Sequence, residues 1–271
     1  MDRIEADPTH FVPPSVGSVR KGVVLSGLGC ELDRSEPARP RAGASVIVGL
    51  GLAGVAITSL LRVPKGVSAT ARDASGPPAR PLGEIVRQPA YMRALACSVG
   101  AYALMSFVMT GAPLAMVACG HSEEAAYMGI QWHVMAMFGP SFFTGSLMAR
   151  FGRERVMAVG FGLLIACAVV ALAGLSIAHF WVALVLLGVG WNFGFIGATA
   201  MVTETYRPSE KNKAQGFHDL VLFGSVALAS LMSGTTLNNY GWDMLNWVVI
   251  PVSLLCLLIL APRLLRSART A

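Results

Sequence analysis

Long apolar runs separated by short polar breaks dominate this sequence. Each run is close to the roughly 20 residues that an α-helix needs to cross a hydrocarbon core of about 30 Å. Glycine, proline or charged residues mark the ends of the runs, as expected at helix boundaries. The pattern predicts an all-α, polytopic membrane protein with seven transmembrane helices, at 44–61, 92–118, 124–148, 155–175, 178–203, 214–236 and 243–261.

Basic residues occur in alternate breaks between these runs. Arginine and lysine are present in one set of breaks and missing from the other. The basic set is 62–91, 149–155, 204–213 and the tail 263–271, and the other set is 119–124, 174–180 and 238–243. Because cytoplasmic loops are enriched in Arg and Lys, the alternation places the basic set in the cytoplasm. The sequence therefore predicts an integral membrane protein with a cytoplasmic C-terminus.

Two polar stretches precede the run at 92–118. Residues 1–43 are rich in Gly and Pro and mixed in charge, which predicts a poorly ordered tail. If 44–61 spans the membrane, this tail lies outside although it contains Arg34, Arg39 and Arg41. That mismatch suggests a chain without its natural beginning. The break at 62–91 is predicted to be a cytoplasmic loop.

Composition and motifs exclude several classes of protein. Of the 271 residues, 54% are hydrophobic and 13% are charged, against about 25% charged in soluble domains. The net charge of +6 is spread over loops, so no nucleic-acid partner is expected. The N-terminus lacks the basic start and apolar core of a signal peptide. Scattered cysteines, and the lack of phosphate-binding, HExxH and GxSxG motifs, indicate no metal, no cofactor and no enzymatic chemistry.

The stretch GSLMARFGRERV, at 145–156, places four charges between two apolar runs. It resembles the loop signature G-x-x-x-D-R-x-G-R-R of the major facilitator superfamily of transporters. Ala149 stands where the signature has aspartate. The positions that match are Gly145, Arg150, Gly152 and Arg153.

The place of this signature implies which part of the family's fold the chain resembles. In the family it follows the second helix of each six-helix half, on the cytoplasmic side, and here it follows the third apolar run. The run at 44–61 is then similar to the family's sixth helix, and 92–262 to the six-helix C-terminal half. The break at 62–91 resembles the long loop that joins the two halves.

Signature loops in this family latch neighbouring helices in one state of the transport cycle. The stretch 203–216 resembles the family's loop between helices ten and eleven, and it contains Glu204 and Arg207. Arg150 and Arg153 are expected at the same level as Glu204, where they can pair with it. The alternative is that the arginines only set topology, because cytoplasmic loops are basic in any case.

Polar side chains inside the predicted helices are candidates for the substrate cavity. They are Tyr102, Ser106, Gln131, His133, Trp191 and Asn192. Trp191 offers a flat stacking face to a ligand. His133 and Asn192 have an equally weighted structural alternative, in which each bonds a neighbouring helix. Pro140 should bend its helix near mid-depth.

His218 and Asp219 lie about one turn inside the predicted helix 214–236. A carboxylate at this position needs a partner or water. The pair is a candidate for proton coupling, and the alternative is a structural bond from Asp219 to an arginine such as Arg207.

The resemblance implies secondary transport by alternating access, possible coupling to protons, and a small substrate. A cavity with little fixed charge favours a neutral or aromatic molecule. We expect transport to require the missing N-terminal half, supplied by a second copy in a homo-oligomer or by a separate chain. One alternative is a non-transporting subunit that packs on a larger membrane complex, through a face that includes Gly190 and Gly194. Another is a truncated gene product without a role.

Overall fold

The computed structural model describes residues 78–269, together with Leu52, Ala56 and Ser59. The predicted tail 1–43, most of the helix 44–61 and most of the loop 62–91 lie outside the described residues. Between 78 and 269 all regular structure is helical. The helices are α1 (Leu82–Val86), α2 (Pro89–Ala118), α3 (Glu123–Phe138), α4 (Ser141–Phe151), α5 (Arg153–Ala173), α6 (Ile177–Thr203) and α7 (Lys211–Arg269), and a 3₁₀ turn at Pro208–Glu210 precedes α7.

These helices match the six predicted runs after residue 91. Within the described part of the chain, four helical stretches are long and apolar enough to cross a membrane, at Pro89–Ala118, Arg153–Ala173, Ile177–Thr203 and Pro208–Leu265. The last stretch contains two predicted runs, and α3 with α4 makes up the remaining one. The prediction of an all-α, polytopic membrane protein is confirmed.

The long helix α7 is interrupted at Gly241, whose φ of 80° and ψ of −178° are not helical. A positive φ favours glycine because it lacks a Cβ atom. The predicted break at 238–243 is thus a single non-helical residue. We call 211–240 the first arm of α7 and 242–269 its second arm.

The first arm runs parallel to α2. Near the start of both, the Tyr91 hydroxyl donates to the carbonyl of Ala214 (2.8 Å). Further along both, the Ser233 hydroxyl donates to the carbonyl of Phe107 (2.6 Å).

The second arm of α7 runs back along α2 in the opposite direction. A Cβ atom at Gly100 would meet Cys256, and one at Gly111 would meet Leu245. Residue numbers therefore fall along the second arm as they rise along α2. The chain reverses at Gly241, and α2 packs against both arms.

The predicted bend at Pro140 is present as a two-residue interruption between α3 and α4, which we call the break, although Gly139 and Pro140 keep helical dihedral angles. Helix α3 ends at Phe138, and Gly139 and Pro140 separate it from Ser141. Proline has no backbone N–H to offer the carbonyl four residues earlier, and its ring clashes with that carbonyl. The break exposes backbone groups that other helices must satisfy.

Helices α5 and α6 meet through glycines. A Cβ atom at Gly160 would lie 2.6 Å from the Gly194 nitrogen and 2.9 Å from the Gly190 oxygen. On another side of α6, a Cβ atom at Gly188 would lie 2.6 Å from the His133 oxygen on α3. Small residues permit this close approach of helices in membranes. Gly190 and Gly194 therefore serve contacts inside the bundle, which corrects their expected place on a partner-facing surface.

Candidate functional site

Five aromatic side chains from four helices meet in one group, which we call the ring cluster: Tyr102, Phe138, Trp191, Phe195 and Phe223. The rings of Trp191 and Phe195 are stacked, with centroids 5.1 Å apart and planes 15° from parallel. Tyr102 contacts Trp191 edge to face at 5.4 Å, and Phe138 contacts Trp191 at 6.1 Å. Tyr102 also contacts Phe195 and Phe223.

The ring cluster lies near the middle of the bundle's length. Trp191 is near the centre of Ile177–Thr203, and Tyr102 is near the centre of Pro89–Ala118. At 1.5 Å of rise per residue, both lie about 20 Å from the ends of their helices. Phe138 occupies the last position of α3, directly before the break.

Burial differs strongly among the five rings. Trp191 is 6% exposed, whereas Phe138 is 58% and Phe223 is 56% exposed. The ring cluster contains no charged side chain. It therefore presents an uncharged aromatic surface at mid-depth, in which Phe138 and Phe223 are exposed and the Trp191 indole is buried.

Two of the six predicted cavity residues lie in the ring cluster, Tyr102 and Trp191. Ser106 lies one turn after Tyr102 on α2, and its hydroxyl is 3.2 Å from that of Ser230 on α7. Gln131 is exposed on α3, and no contact brings it to the ring cluster.

Asn192 fills the break between α3 and α4. Its amide nitrogen donates to the carbonyl of Met137 (2.6 Å) and to the hydroxyl of Ser141 (2.7 Å). Its amide oxygen accepts from the hydroxyl of Thr144 (2.6 Å). These contacts favour the structural alternative for Asn192, which bonds a neighbouring helix where proline has left carbonyls free.

His133 also bonds a neighbouring helix. The side chain is fully buried, and its Nδ1 lies 2.8 Å from the carbonyl of Leu184 on α6. The second ring nitrogen, Nε2, has no hydrogen-bond partner among the described residues. The imidazole thus ties α3 to α6 on the side where Gly188 permits close contact.

His218 and Asp219 are in contact with each other, and His218 links α7 to α2. The His218 Nδ1 lies 3.0 Å from the Asp219 Oδ1, and its Nε2 lies 2.9 Å from the Ser98 hydroxyl. Ser98 Oγ is also within hydrogen-bonding distance of the Leu95 carbonyl (2.9 Å). His218 is 1% exposed and the Asp219 side chain is 45% exposed. The predicted alternative of an Asp219–Arg207 bond is not formed, and the Arg207 guanidinium instead donates to the carbonyl of Pro78 (3.3 Å).

The signature loop pairs with the end of α6. Arg153 forms an ion pair with Glu204, and both side chains are partly exposed. Arg150 instead lies over the ring of Phe151, 5.3 Å from its centroid. Gly152 joins α4 to α5 with a φ of 87°, so a single residue makes the turn. A Cβ atom at Gly145 would meet nothing within 4 Å, which leaves that face of α4 open.

The sequence analysis missed a second ion pair at this end of the bundle, between Arg80 and Glu210. The Arg80 guanidinium donates to both carboxylate oxygens of Glu210, at 2.8 and 2.7 Å, and the Arg80 backbone N–H donates at 2.9 Å. The backbone N–H of Arg207 adds a further bond at 2.9 Å. The Glu210 side chain is fully buried. We call this contact the clasp, since it holds the segment before α1 on the loop before α7.

The hydrogen bonds that the Arg80 side chain donates hold the pKa of Glu210 well below its usual range, and the same bonds raise the pKa of Arg80. Because the pKa of Glu210 is lower in the folded chain than in the unfolded chain, the clasp stabilises the folded chain at pH values above the ordinary glutamate pKa of about 4.3. This stabilisation is lost as the pH falls further.

We therefore expect the protection of amides in 78–88 against hydrogen exchange, measured relative to the unfolded chain at the same pH, to stay high between about pH 8 and pH 5 and to fall only at lower pH. Glu210→Gln should give low protection at every pH. Glu123→Gln, at an exposed position in the first turn of α3, is the control and should behave like the parent chain. Equal exchange in the two variants would show that the clasp does not hold the segment.

A comparison with known protein families agrees with the resemblance of the signature loop. The family model of the Major Facilitator Superfamily matches residues 135–271. The chain belongs to the major facilitator superfamily. Its break at mid-depth and its signature loop lie within the matched residues, and the predicted membership in this family is confirmed.

Several curated relatives of this superfamily member are transporters. It is 50% identical over 219 residues to the riboflavin transporter RfnT of Brucella anthropi, covering 80% of this chain and 53% of that protein. It is 37% identical over 145 residues to YddS of Bacillus subtilis, an uncharacterized transporter of this superfamily, covering 53% of this chain and 33% of YddS. The chain spans about half the length of the first relative and a third of the second. No solved structure matches it.

Proposed function

We propose that this chain supplies substrate-binding helices of a secondary transporter that moves a small, uncharged, aromatic solute by alternating access. Membership in the superfamily supports transport, and the relative named as a riboflavin transporter supports a flat heteroaromatic solute. Riboflavin is the first solute to test. The protein acts within the bacterial inner membrane, with the end that carries Arg80 and Arg153 in the cytoplasm, as the excess of Arg and Lys there favours.

The ring cluster is the observation that carries this proposal. Substrate sites of secondary transporters lie near the bilayer midplane, beside interrupted helices. The ring cluster lies at mid-depth, and Phe138, one of its members, lies directly before the break. Aromatic rings attract flat ligands by offset stacking and edge contacts. An uncharged site of this kind suits a neutral solute.

Transport by this chain depends on a second helical bundle. Two rings of the ring cluster, Phe138 and Phe223, are more than half exposed on the described helices. The first relative is also about twice as long as the matched part of this chain. The second bundle covers the open side of the ring cluster.

Ser98, His218 and Asp219 form the proton-coupling site of the proposed transporter. The three contacts Leu95–Ser98, Ser98–His218 and His218–Asp219 need three hydrogens if all are hydrogen bonds. A serine hydroxyl and a neutral imidazole supply only two, because a neutral imidazole donates from one nitrogen. One added proton supplies the third hydrogen, so that all three contacts become hydrogen bonds and the link between α2 and α7 is strengthened.

The Arg153–Glu204 pair serves as the latch of the transport cycle. It ties the loop between α4 and α5 to the end of α6. Both side chains are partly exposed, so the pair is weak enough to open and close. Ala149 provides no carboxylate at the signature's aspartate position, so Glu204 is the acidic partner of the latch.

Equilibrium binding of riboflavin to the full chain in lipid nanodiscs tests the proposal. We expect saturable binding, displaced by excess unlabelled riboflavin. A chain that takes up riboflavin only in proportion to its lipid content would contradict the aromatic-solute proposal.

A further inference from the structure

Trp191 carries a polar group that is unpaired within the described part of the chain. The indole Nε1 is buried and has no hydrogen-bond partner among the described residues. The whole side chain is 6% exposed. Native proteins pair nearly all buried donors, because an unpaired one loses its bonds to water without replacement. This orphan donor lies within the ring cluster.

The rings around Trp191 limit how a partner can reach its N–H group. Phe195 covers one face of the indole in a stacked arrangement, and Tyr102 and Phe138 contact it edge to face. An indole N–H points outward in the plane of its ring. A partner must therefore present its acceptor at the edge of the indole.

We infer that the Trp191 N–H is a specificity-determining donor that recognises a hydrogen-bond acceptor built into a planar aromatic ligand. This inference rests on the proposed function and adds to it the chemistry that the ligand must offer. Ring carbonyls and ring nitrogens place an acceptor in the plane of an aromatic system, so a heteroaromatic ligand can stack on the cluster and accept this bond. An aromatic hydrocarbon of the same shape can only stack.

Phe138 is the ring that is displaced when the ligand binds. It is 58% exposed and is followed directly by Gly139 and Pro140, where the helix is broken. Phe195 and Trp191 instead lie inside the continuous helix α6. Displacement of Phe138 therefore requires adjustment only at an existing break, and ligand binding is linked to the geometry of that break.

Replacement of Trp191 by phenylalanine tests the inference, because phenylalanine keeps an aromatic ring and removes the N–H. Two probes are compared in nanodiscs containing the full chain. One is riboflavin, and the other is an anthracene bearing the same ribityl chain, which keeps three fused rings without ring acceptors. We expect Trp191→Phe to weaken riboflavin binding by about tenfold, as for one neutral hydrogen bond, and to leave the anthracene probe unchanged.

A matched control is Trp247→Phe, at a tryptophan that is 58% exposed on the second arm of α7. It should bind both probes like the parent chain. Equal weakening of both probes by Trp191→Phe would mean that only ring shape matters, and no weakening of either would mean that the N–H is not used. Either result overturns the inference. The proposed function still stands in both cases if the parent chain binds riboflavin. A parent chain that binds neither probe rejects both.

The indole proton of Trp191 gives a second readout that needs no variant with altered packing. Its NMR resonance should move further downfield with riboflavin than with the anthracene probe, whose rings act on it only through their ring current. A resonance that responds equally to both probes, or to neither, contradicts the proposed hydrogen bond.

Discussion

Replacing Gly160 by alanine is expected to destabilise the bundle, whereas the same replacement at Gly162 is not. A Cβ atom at Gly160 would lie 2.6 Å from the Gly194 nitrogen, and the obstacle is backbone that cannot rotate away. The helices α5 and α6 must then separate. Overpacking of this kind costs about 1–3 kcal/mol. At Gly162, two residues later on the same helix, a Cβ atom meets nothing within 4 Å.

The two variants should therefore shift the thermal melting midpoint in opposite directions, or Gly162→Ala should leave it unchanged. Alanine at Gly162 gains up to about 1 kcal/mol of helix propensity without a clash. Thermal melting in detergent should give a lower midpoint for Gly160→Ala and an equal or higher midpoint for Gly162→Ala. If Gly160→Ala melts at or above the parent midpoint, α5 and α6 do not approach as closely as the structure has them.

Asp219→Asn is expected to abolish accumulation of riboflavin driven by a pH gradient while exchange of labelled for unlabelled riboflavin continues. The amide keeps the shape of the side chain and stays close to His218, but it carries no negative charge to hold the added proton on the Ser98–His218–Asp219 group. Tyr91 and Tyr206 lie near Asp219 and remain unchanged. Exchange needs the helices to move with substrate bound and needs no net proton movement.

Membrane vesicles from cells that express the chain suit this measurement, since they retain any partner bundle. Asp243→Asn is the matched control, because Asp243 is an exposed carboxylate at the start of the second arm, beside the reversal at Gly241. It should accumulate riboflavin like the parent chain. Full pH-driven accumulation by Asp219→Asn would remove this group from the coupling mechanism.

The helices were predictable because each depends on local sequence. The break at Pro140 follows from the missing N–H of proline, wherever the helix packs. The turn at Gly152 follows from a signature in which glycine separates two apolar runs. By contrast, the sequence did not show that 238–243 contracts to a single residue, because only the positive φ of Gly241 makes so short a reversal possible.

The candidate site was only partly predictable. Tyr102 and Trp191 stood out because they are polar aromatic residues in apolar runs, whereas Phe138 and Phe223 resemble ordinary lipid-facing residues. The spacing of Trp191 and Phe195 by one helical turn was the available signal for the stacked pair. The clasp joins Arg80 to Glu210 across 130 positions, and such a pairing depends on tertiary packing.

The central claim is that the ring cluster holds a flat aromatic solute, and riboflavin binding by Tyr102→Ala tests it most directly. Tyr102 contacts three other rings of the cluster, at centroid distances of 5.4, 5.0 and 6.2 Å. Its loss should weaken binding by about tenfold or more, as expected when an aromatic contact surface is removed. Tyr127→Ala, at a tyrosine 64% exposed on α3, should bind like the parent chain. Equal affinity of Tyr102→Ala and the parent chain would contradict the claim.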